Sequence, residues 1–227
     1  MKKQATIFLI STLLPLIALA QWVPHTTGFS TPFGLWDLSI ADSSTVWGIA
    51  QDGDGNAVPK FTKNTNGGAQ FTVGGFPADY AWSNISALDA NTAWIAAVTT
   101  ATGTGGGIFK TTDGGTTWTQ QGMDTIFNAT SYCDFVYFWN ADEGVAVGDP
   151  NPDEFEIYTT TDGGTHWIPV PGSFIPDRNE GEYGVYKNFY NPRQRHLVRD
   201  HPRQNLSLRR PGLDLVGVQS RHSNGRP

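Results

Sequence analysis

Thr112-Asp113-Gly114-Gly115-Thr116-Thr117-Trp118 returns forty-nine residues later as Thr161-Asp162-Gly163-Gly164-Thr165-His166-Trp167, and forty-seven residues earlier in a worn form, Thr65-Asn66-Gly67-Gly68-Ala69-Gln70-Phe71. A period of that length is the mark of a repeat architecture. Each copy has the same lead-in, with Phe61, Ile108 and Ile157 five residues before the Asp or Asn. A short strand therefore runs into a turn in which the acid or amide accepts backbone N–H groups. Gly68, Gly115 and Gly164 supply the positive φ of a tight reversal, and Phe71, Trp118 and Trp167 fold back as apolar plugs, a self-contained hairpin staple.

Two further strands precede each staple: Leu38 to Asp42 with Val46 to Ala50, Ile85 to Asp89 with Ala93 to Ala97, and Phe135 to Phe138 with Gly144 to Gly148. About four strands per unit, no sustained apolar pattern at helical spacing, and a composition rich in Thr, Val, aromatics and Gly read as all-β. The expected fold is an incomplete β-propeller of about three four-stranded blades with a period of 47–49, followed by a basic tail.

Thr111 to Trp118 and Thr160 to Trp167 match Ser/Thr-x-Asp-x-Gly-x-x-Trp at every position. In this the chain resembles the Asp-box (BNR-type) propellers, a repeat shared by sialidases, sortilin-like receptors and photosystem II assembly-factor-like proteins. The wording around Gly148-Asp149-Pro150 and Gly181-Glu182-Tyr183-Gly184 is most similar to secreted propellers of Bacteroidetes-type bacteria. The resemblance implies that the boxes sit on the blade periphery and serve structure, with Asn66, Gly68, Phe71, Asp113, Gly115, Trp118, Asp162, Gly164 and Trp167 as structural residues.

Lys2 and Lys3, the apolar run Thr6 to Leu19 and Ala18-Leu19-Ala20 before Gln21 form a signal-peptide pattern over residues 1–20. The run is shorter than the ~20 residues of a membrane span. Export to the outside or the cell surface of a bacterium is expected, with no membrane span after cleavage. Cys133 is the only cysteine, so no internal disulfide forms; beside Phe135 and Tyr137 it reads as a core residue.

Between Gln21 and Pro192, the expected propeller part (21–192), five Lys or Arg stand against nineteen Asp or Glu, which argues against nucleic acid as a partner. Residues 193–227 hold eight Arg and no Phe, Tyr, Trp or Lys, and cannot supply a blade core. With permissible codons, this tail read one base later gives Ile-Trp-Phe-Gly-Thr from His196 to Asp200, Ile-Tyr-Arg-Ser from Asn205 to Leu208, and Ala-Asp-Arg-Gly-Leu-Thr-Trp from Arg209 to Leu215. That is a fourth box, its Asp on the codon boundary of Arg210, forty-eight residues after Asp162. The expectation is a frameshift near Lys187 to Arg193, leaving a truncated propeller and a disordered Arg-rich tail. Closed propellers typically need four to eight blades, so open blade edges invite self-association. Gln21 to Thr31 reads as the outer strand that closes the ring in an intact relative.

Candidate chemistry is sparse. A sialidase needs three arginines and a Tyr–Glu pair, and the part before the expected shift holds only Arg178. The carboxylate pairs Asp153–Glu154, Glu180–Glu182 and Asp134–Asp149 are what another glycosidase would use, against the simpler reading of acidic loops. Asp52-Gly53-Asp54-Gly55-Asn56 opens like a calcium loop but has Ala57 and Lys63 where Gly and Glu are needed, so a turn is expected. His25 and His166 are isolated, Gly103 to Gly107 is a hairpin loop, and Asn84 and Asn128 head formal glycosylation sequons. Trp36, Trp47, Trp82, Trp94 and Trp139 are read as packing residues before sugar-stacking ones. The expectation is a non-catalytic scaffold for a protein or glycan ligand, with no cofactor and no metal. The alternative is a sialidase-like or other glycoside hydrolase.

Overall fold

In the computed structural model, the structure describes residues 24–30, 32–122 and 126–175, together with the backbone of two short strands, Asn205–Arg209 and Asp214–Val218. The signal-peptide pattern, Arg178 and the Glu180–Glu182 pair lie outside the described residues, as does most of the tail. The backbone of those two strands pairs antiparallel from Asn205↔Val218 to Arg209↔Asp214.

The repeat unit folds as a four-stranded antiparallel sheet in consecutive order, three times over. The first blade holds β1 (Gly34–Ile40), β2 (Val46–Gln51), β3 (Ala57–Asn64) and β4 (Phe71–Gly75). The second holds β5 (Tyr80–Ala87), β6 (Ala93–Thr99), β7 (Gly107–Thr111) and β8 (Thr119–Gln121). The third holds β9 (Cys133–Phe138), β10 (Gly144–Pro150), β11 (Phe155–Thr160) and β12 (Ile168–Pro169). The tail strands are β13 and β14. These are three successive blades of an incomplete β-propeller.

Consecutive strands pair because four- to seven-residue polar turns reverse the chain between them. The first turn of every blade is built the same way: one acid or amide oxygen takes two backbone N–H groups. Asp42 Oδ1 accepts from Ser44 and Thr45 at 2.7 and 2.9 Å, Asp89 Oδ1 from Asn91 and Thr92 at 2.7 Å, and Asn140 Oδ1 from Asp142 and Glu143 at 2.9 and 2.8 Å.

Alternation along the strands supplies two apolar faces per blade, and the core lies between blades. Trp47, Ile49 and Phe61 of the first blade meet Trp82, Ile85 and Ile95 of the second. Trp94, Ala96 and Ile108 of the second meet Val136, Phe138 and Ala146 of the third. A third cluster, Phe135, Val145, Val147, Ile157 and Ile175, lies on the far face of the third blade. Trp94 stacks on Phe138 with ring centroids 3.6 Å apart and planes 10° from parallel. Among the described residues no helix is long and apolar enough to cross a membrane.

Candidate functional site

Two ends of the blades carry polar side chains in repeated positions, an outer corner and an inner bulge.

The outer corner follows the third strand of each blade. In the second blade Thr111 Oγ1 accepts from Gly115 N at 2.9 Å and donates to Asp113 Oδ1 at 2.9 Å. Asp113 Oδ1 also takes Thr117 N at 2.9 Å, and Oδ2 takes the Thr117 hydroxyl at 2.7 Å. The third blade repeats this atom for atom: Thr160 Oγ1 accepts from Gly164 N at 3.0 Å, Asp162 Oδ1 from His166 N at 2.9 Å, and His166 Nδ1 stands 2.6 Å from Asp162 Oδ2. In the first blade amides take both roles, Asn64 Oδ1 accepting from Gly68 N at 2.6 Å and Asn66 Oδ1 from Gln70 N at 3.1 Å. Donation by the Thr117 N–H and hydroxyl holds the Asp113 carboxyl down at about 2, and the His166 N–H does the same for Asp162, also at about 2. Gly115 has φ +88°, and a Cβ there would lie 2.2 Å from the Phe61 ring of the preceding blade. Both constraints require glycine.

The apolar half of the corner is not self-contained. Trp118 packs edge-on against Trp47 and Phe61 of the first blade, at 6.3 and 5.9 Å between centroids. Its neighbour Gly114 is gripped from the same side: Lys63 Nζ donates to Ala90 O at 2.8 Å and Gly114 O at 3.0 Å while lying 4.6 Å over the Trp47 ring. Trp47 Nε1 donates to Asp89 O at 2.9 Å. The second blade grips the third likewise, with Lys110 Nζ and Trp94 Nε1 both donating to Gly163 O at 3.0 and 3.2 Å, and Lys110 4.9 Å over Trp94. Burial lowers both lysines from the ordinary range. Trp47↔Lys63 and Trp94↔Lys110 are cross-strand partners, so one register position of each sheet makes the grip. Strand periodicity gave no sign of this clamp, but the recurrence of Trp and Lys sixteen residues apart could have shown it.

At the opposite end the innermost strand of each blade bulges, at Trp36, Ser83 and Asp134. Trp36 Nε1 donates to Ser83 O at 2.9 Å, and Ser83 Oγ to Cys133 O at 2.7 Å, so the first two bulges each point a donor into the next blade. Just after the bulge, Asp37 Oδ2 accepts from Ile85 N at 3.1 Å and Asn84 Oδ1 from Val136 N at 2.8 Å. Asn84 is thereby buried in an interblade contact, which closes its sequon to modification, whereas Asn128 is exposed. Asp134 is 5% exposed, and its Oδ2 has no partner. Burial first, then the neighbouring Asp149 charge, pushes its carboxyl up to about 8. Cys133 is fully buried and its thiol is driven up by the same burial.

Around Asp134 the loops 99–106, 126–132 and 149–155 come together. Thr104 Oγ1 donates to Ala129 O at 2.9 Å, Gly105 N to Ser131 O at 2.8 Å, and Asn151 Nδ2 to Ser131 Oγ at 3.0 Å. The pair Asp134–Asp149 is thus brought together here, while Asp153 and Glu154 stay in an exposed turn closed by Asn151 N to Glu154 O at 2.9 Å. Asp52 spends its oxygens on Asp54 N, Asn56 N and Asn56 Nδ2 at 2.8–2.9 Å, as a turn residue does. Among the described residues no group of three or more His, Cys, Asp or Glu could hold a metal ion. Trp47, Trp82 and Trp94 are buried, Trp82 with Nε1 on Ala50 O at 3.1 Å, and none presents a face to a ligand.

No protein-family profile matches the chain, and no curated protein does. Solved structures similar to it include YCF48 bound to D1 peptide, at 21% identity over 60% of this chain and 39% of that one, TM-score 0.43. YCF48 from Cyanidioschyzon merolae is 18% identical over 63% of this chain and 39% of its own, TM-score 0.44. A GH74 enzyme from Niastella koreensis is 20% identical over 64% and 24%, TM-score 0.44. The chain spans about two fifths of the YCF48 chains and about a quarter of the GH74 chain with which it aligns.

Proposed function

We propose that this chain is an exported, non-catalytic propeller scaffold that binds a protein or glycan ligand. One observation carries the reading: the charged and indole side chains of the outer corner and of the Trp–Lys rows are consumed in holding blades. Asp113 and Asp162 are saturated by their own loops, Lys63 and Lys110 by neighbouring carbonyls and indole faces, and the large tryptophans by packing. What remains for recognition is the end formed by loops 99–106, 126–132 and 149–155, where the rim is exposed and polar. The export part rests on Lys2-Lys3, the apolar run and Ala18-Leu19-Ala20. The corner residues, from Asn66 to Trp167, are structural in this reading.

The second reading, a glycoside hydrolase, is favoured by Asp134 beside Asp149: a carboxyl that keeps its proton to about 8 next to a second one is what a general acid and its partner require. Incubation with sialyl and β-glucan oligosaccharides, followed by reducing-end analysis, decides between them. The scaffold reading expects retention on peptide or glycan arrays and no released sugar. Sugar release that Asp134→Asn abolishes would establish the hydrolase instead.

A further inference from the structure

Every outer corner is also a chemically labile step. Asn66-Gly67, Asp113-Gly114 and Asp162-Gly163 each place a glycine, which has no Cβ to hinder its nitrogen, directly after an amide or an acid. The first of them is the reactive one. Its Gly67 nitrogen can give up a proton and bond to Asn66 Cγ while the Cγ–Nδ2 bond breaks and ammonia leaves. Water then opens the cyclic imide, at Cγ to give aspartate or at the Asn66 main-chain carbonyl to give isoaspartate. Asp113 and Asp162, held down at about 2, stand as carboxylates, from which no comparable leaving group departs. The other Asn-Gly step of the chain, Asn224-Gly225, lies outside the described residues.

The corner activates this amide and withholds its nucleophile. Asn64 Nδ2 and Gln70 N donate to Asn66 Oδ1 at 2.7 and 3.1 Å, and that oxygen is the one that gathers negative charge when Cγ is attacked. Asn66 and Gly67 are exposed, so water reaches both. Against this stands one bond: Gly67 N donates to Ser44 O at 3.0 Å, which keeps the proton from solvent base and fixes the peptide plane. The bond belongs to the repeat. Gly114 N donates to Asn91 O at 2.9 Å and Gly163 N to Asp142 O at 2.8 Å, in each case to the first turn of the same blade. In the first blade Asp42 builds that turn by accepting from Ser44 N and Thr45 N, and so sets where the Ser44 carbonyl stands.

We propose that Asn66-Gly67 is a self-modification site, an amide poised to cyclise and held back by the Gly67 N–H bond to Ser44 O, so that opening of the first blade's corner is written into the chain as an aspartyl or isoaspartyl residue. The two products differ in outcome. Aspartate at 66 keeps an acceptor for Gln70 N and Asn64 Nδ2, and gives this corner the acid that Asp113 and Asp162 supply in the other two. Isoaspartate lengthens the main chain by one carbon between 66 and 67. That pulls Gly68 N away from Asn64 Oδ1, 2.6 Å distant in the intact corner, and leaves the corner open for good.

The test incubates the full chain at neutral pH and follows residue 66 by peptide mass mapping, with isoaspartyl methyltransferase to count the isoaspartyl product. Conversion should be at least tenfold slower in the native chain than in the same chain unfolded in urea. Asp42→Ala, which frees the turn that carries the Ser44 carbonyl, should speed native conversion at 66 tenfold or more. Asn140→Ala, the same lesion in the third blade, should leave it at the native rate. Equal rates in the native and unfolded chains overturn the proposal, as does a folded Asp42→Ala chain that converts no faster than the native one, or equal acceleration by both variants. Where Asp42→Ala does not melt cooperatively, the native chain in urea below its unfolding midpoint replaces it. Conversion at 66 should then rise in step with hydrogen exchange at the Gly67 N–H; exchange that rises without conversion refutes the proposal.

Discussion

Asp113 and Asp134 are aspartates in adjoining blades of one propeller, and their surroundings drive them to opposite extremes. At the outer corner Asp113 stands in solvent and collects N–H and O–H donors, which hold it at about 2. At the inner bulge Asp134 is buried, has one oxygen without a partner and faces Asp149, which lifts it to about 8. The contrast teaches where this fold keeps its charges: donors from a tight turn stabilise a carboxylate at the rim, while the packed inner strands admit a carboxyl only with its proton.

The largest test of that contrast is the pH dependence of stability. In the unfolded chain an aspartate gives up its proton near pH 4, whereas Asp134 in the fold keeps it to about 8. Between those values the unfolded state binds fewer protons, so stability falls as pH rises from 4 to 8 and then levels off. Four decades at about 1.4 kcal/mol each give roughly 5 kcal/mol for a group this buried. Urea unfolding at pH 4.5 and 8.5 should show that loss in the native chain and little of it in Asp134→Asn; equal slopes in both would break the comparison. At the corner the sign reverses. The contribution of Asp113 is full above pH 4 and disappears only as pH falls through about 2, so Asp113→Ala should leave the slope from 4.5 to 8.5 unchanged.

Next in size is the aromatic half of the corner. Trp118→Ala removes the ring set between Trp47, Phe61 and Phe76 and should cost about 3 kcal/mol in the same unfolding experiment. Trp118→Phe should cost less than about 1.5 kcal/mol, because Trp118 Nε1 makes no hydrogen bond and Phe71 already fills this place in the first blade. Lys63→Met strips two carbonyls of their donor and Trp47 of its cation, for a loss of about 2 kcal/mol. The smallest effect belongs to Asp113→Asn. Asn66 accepts from Gln70 N in the first blade as Asp113 does from Thr117 N, so the amide should keep the melting midpoint close to native while Asp113→Ala lowers it measurably. Equal losses for the two would mean that charge, and not the acceptor oxygen, makes the corner.

The corners were legible because their bonds run between residues two to four apart, within reach of any reader of Thr-x-Asp-x-Gly. The bulge was not: Asp134 and Asp149 could be noticed as a pair, but nothing near them in the chain tells that Asp134 is buried with an oxygen left without a partner. The same holds for Trp118, expected to cover its own hairpin and found against Trp47 and Phe61 of the blade before.

By itself the sequence determined the unit: its period, its four strands, their order and the polar corner, all of which follow from local turn chemistry and the two-residue alternation of a strand. Only the tertiary structure decided which faces meet, that Trp47 with Lys63 and Trp94 with Lys110 grip the following blade, and that Leu38 and Ile40 remain uncovered. Those contacts join residues some fifty positions apart on separate sheets. Their energy depends on distance in space and exclusion of water, which chain order does not encode.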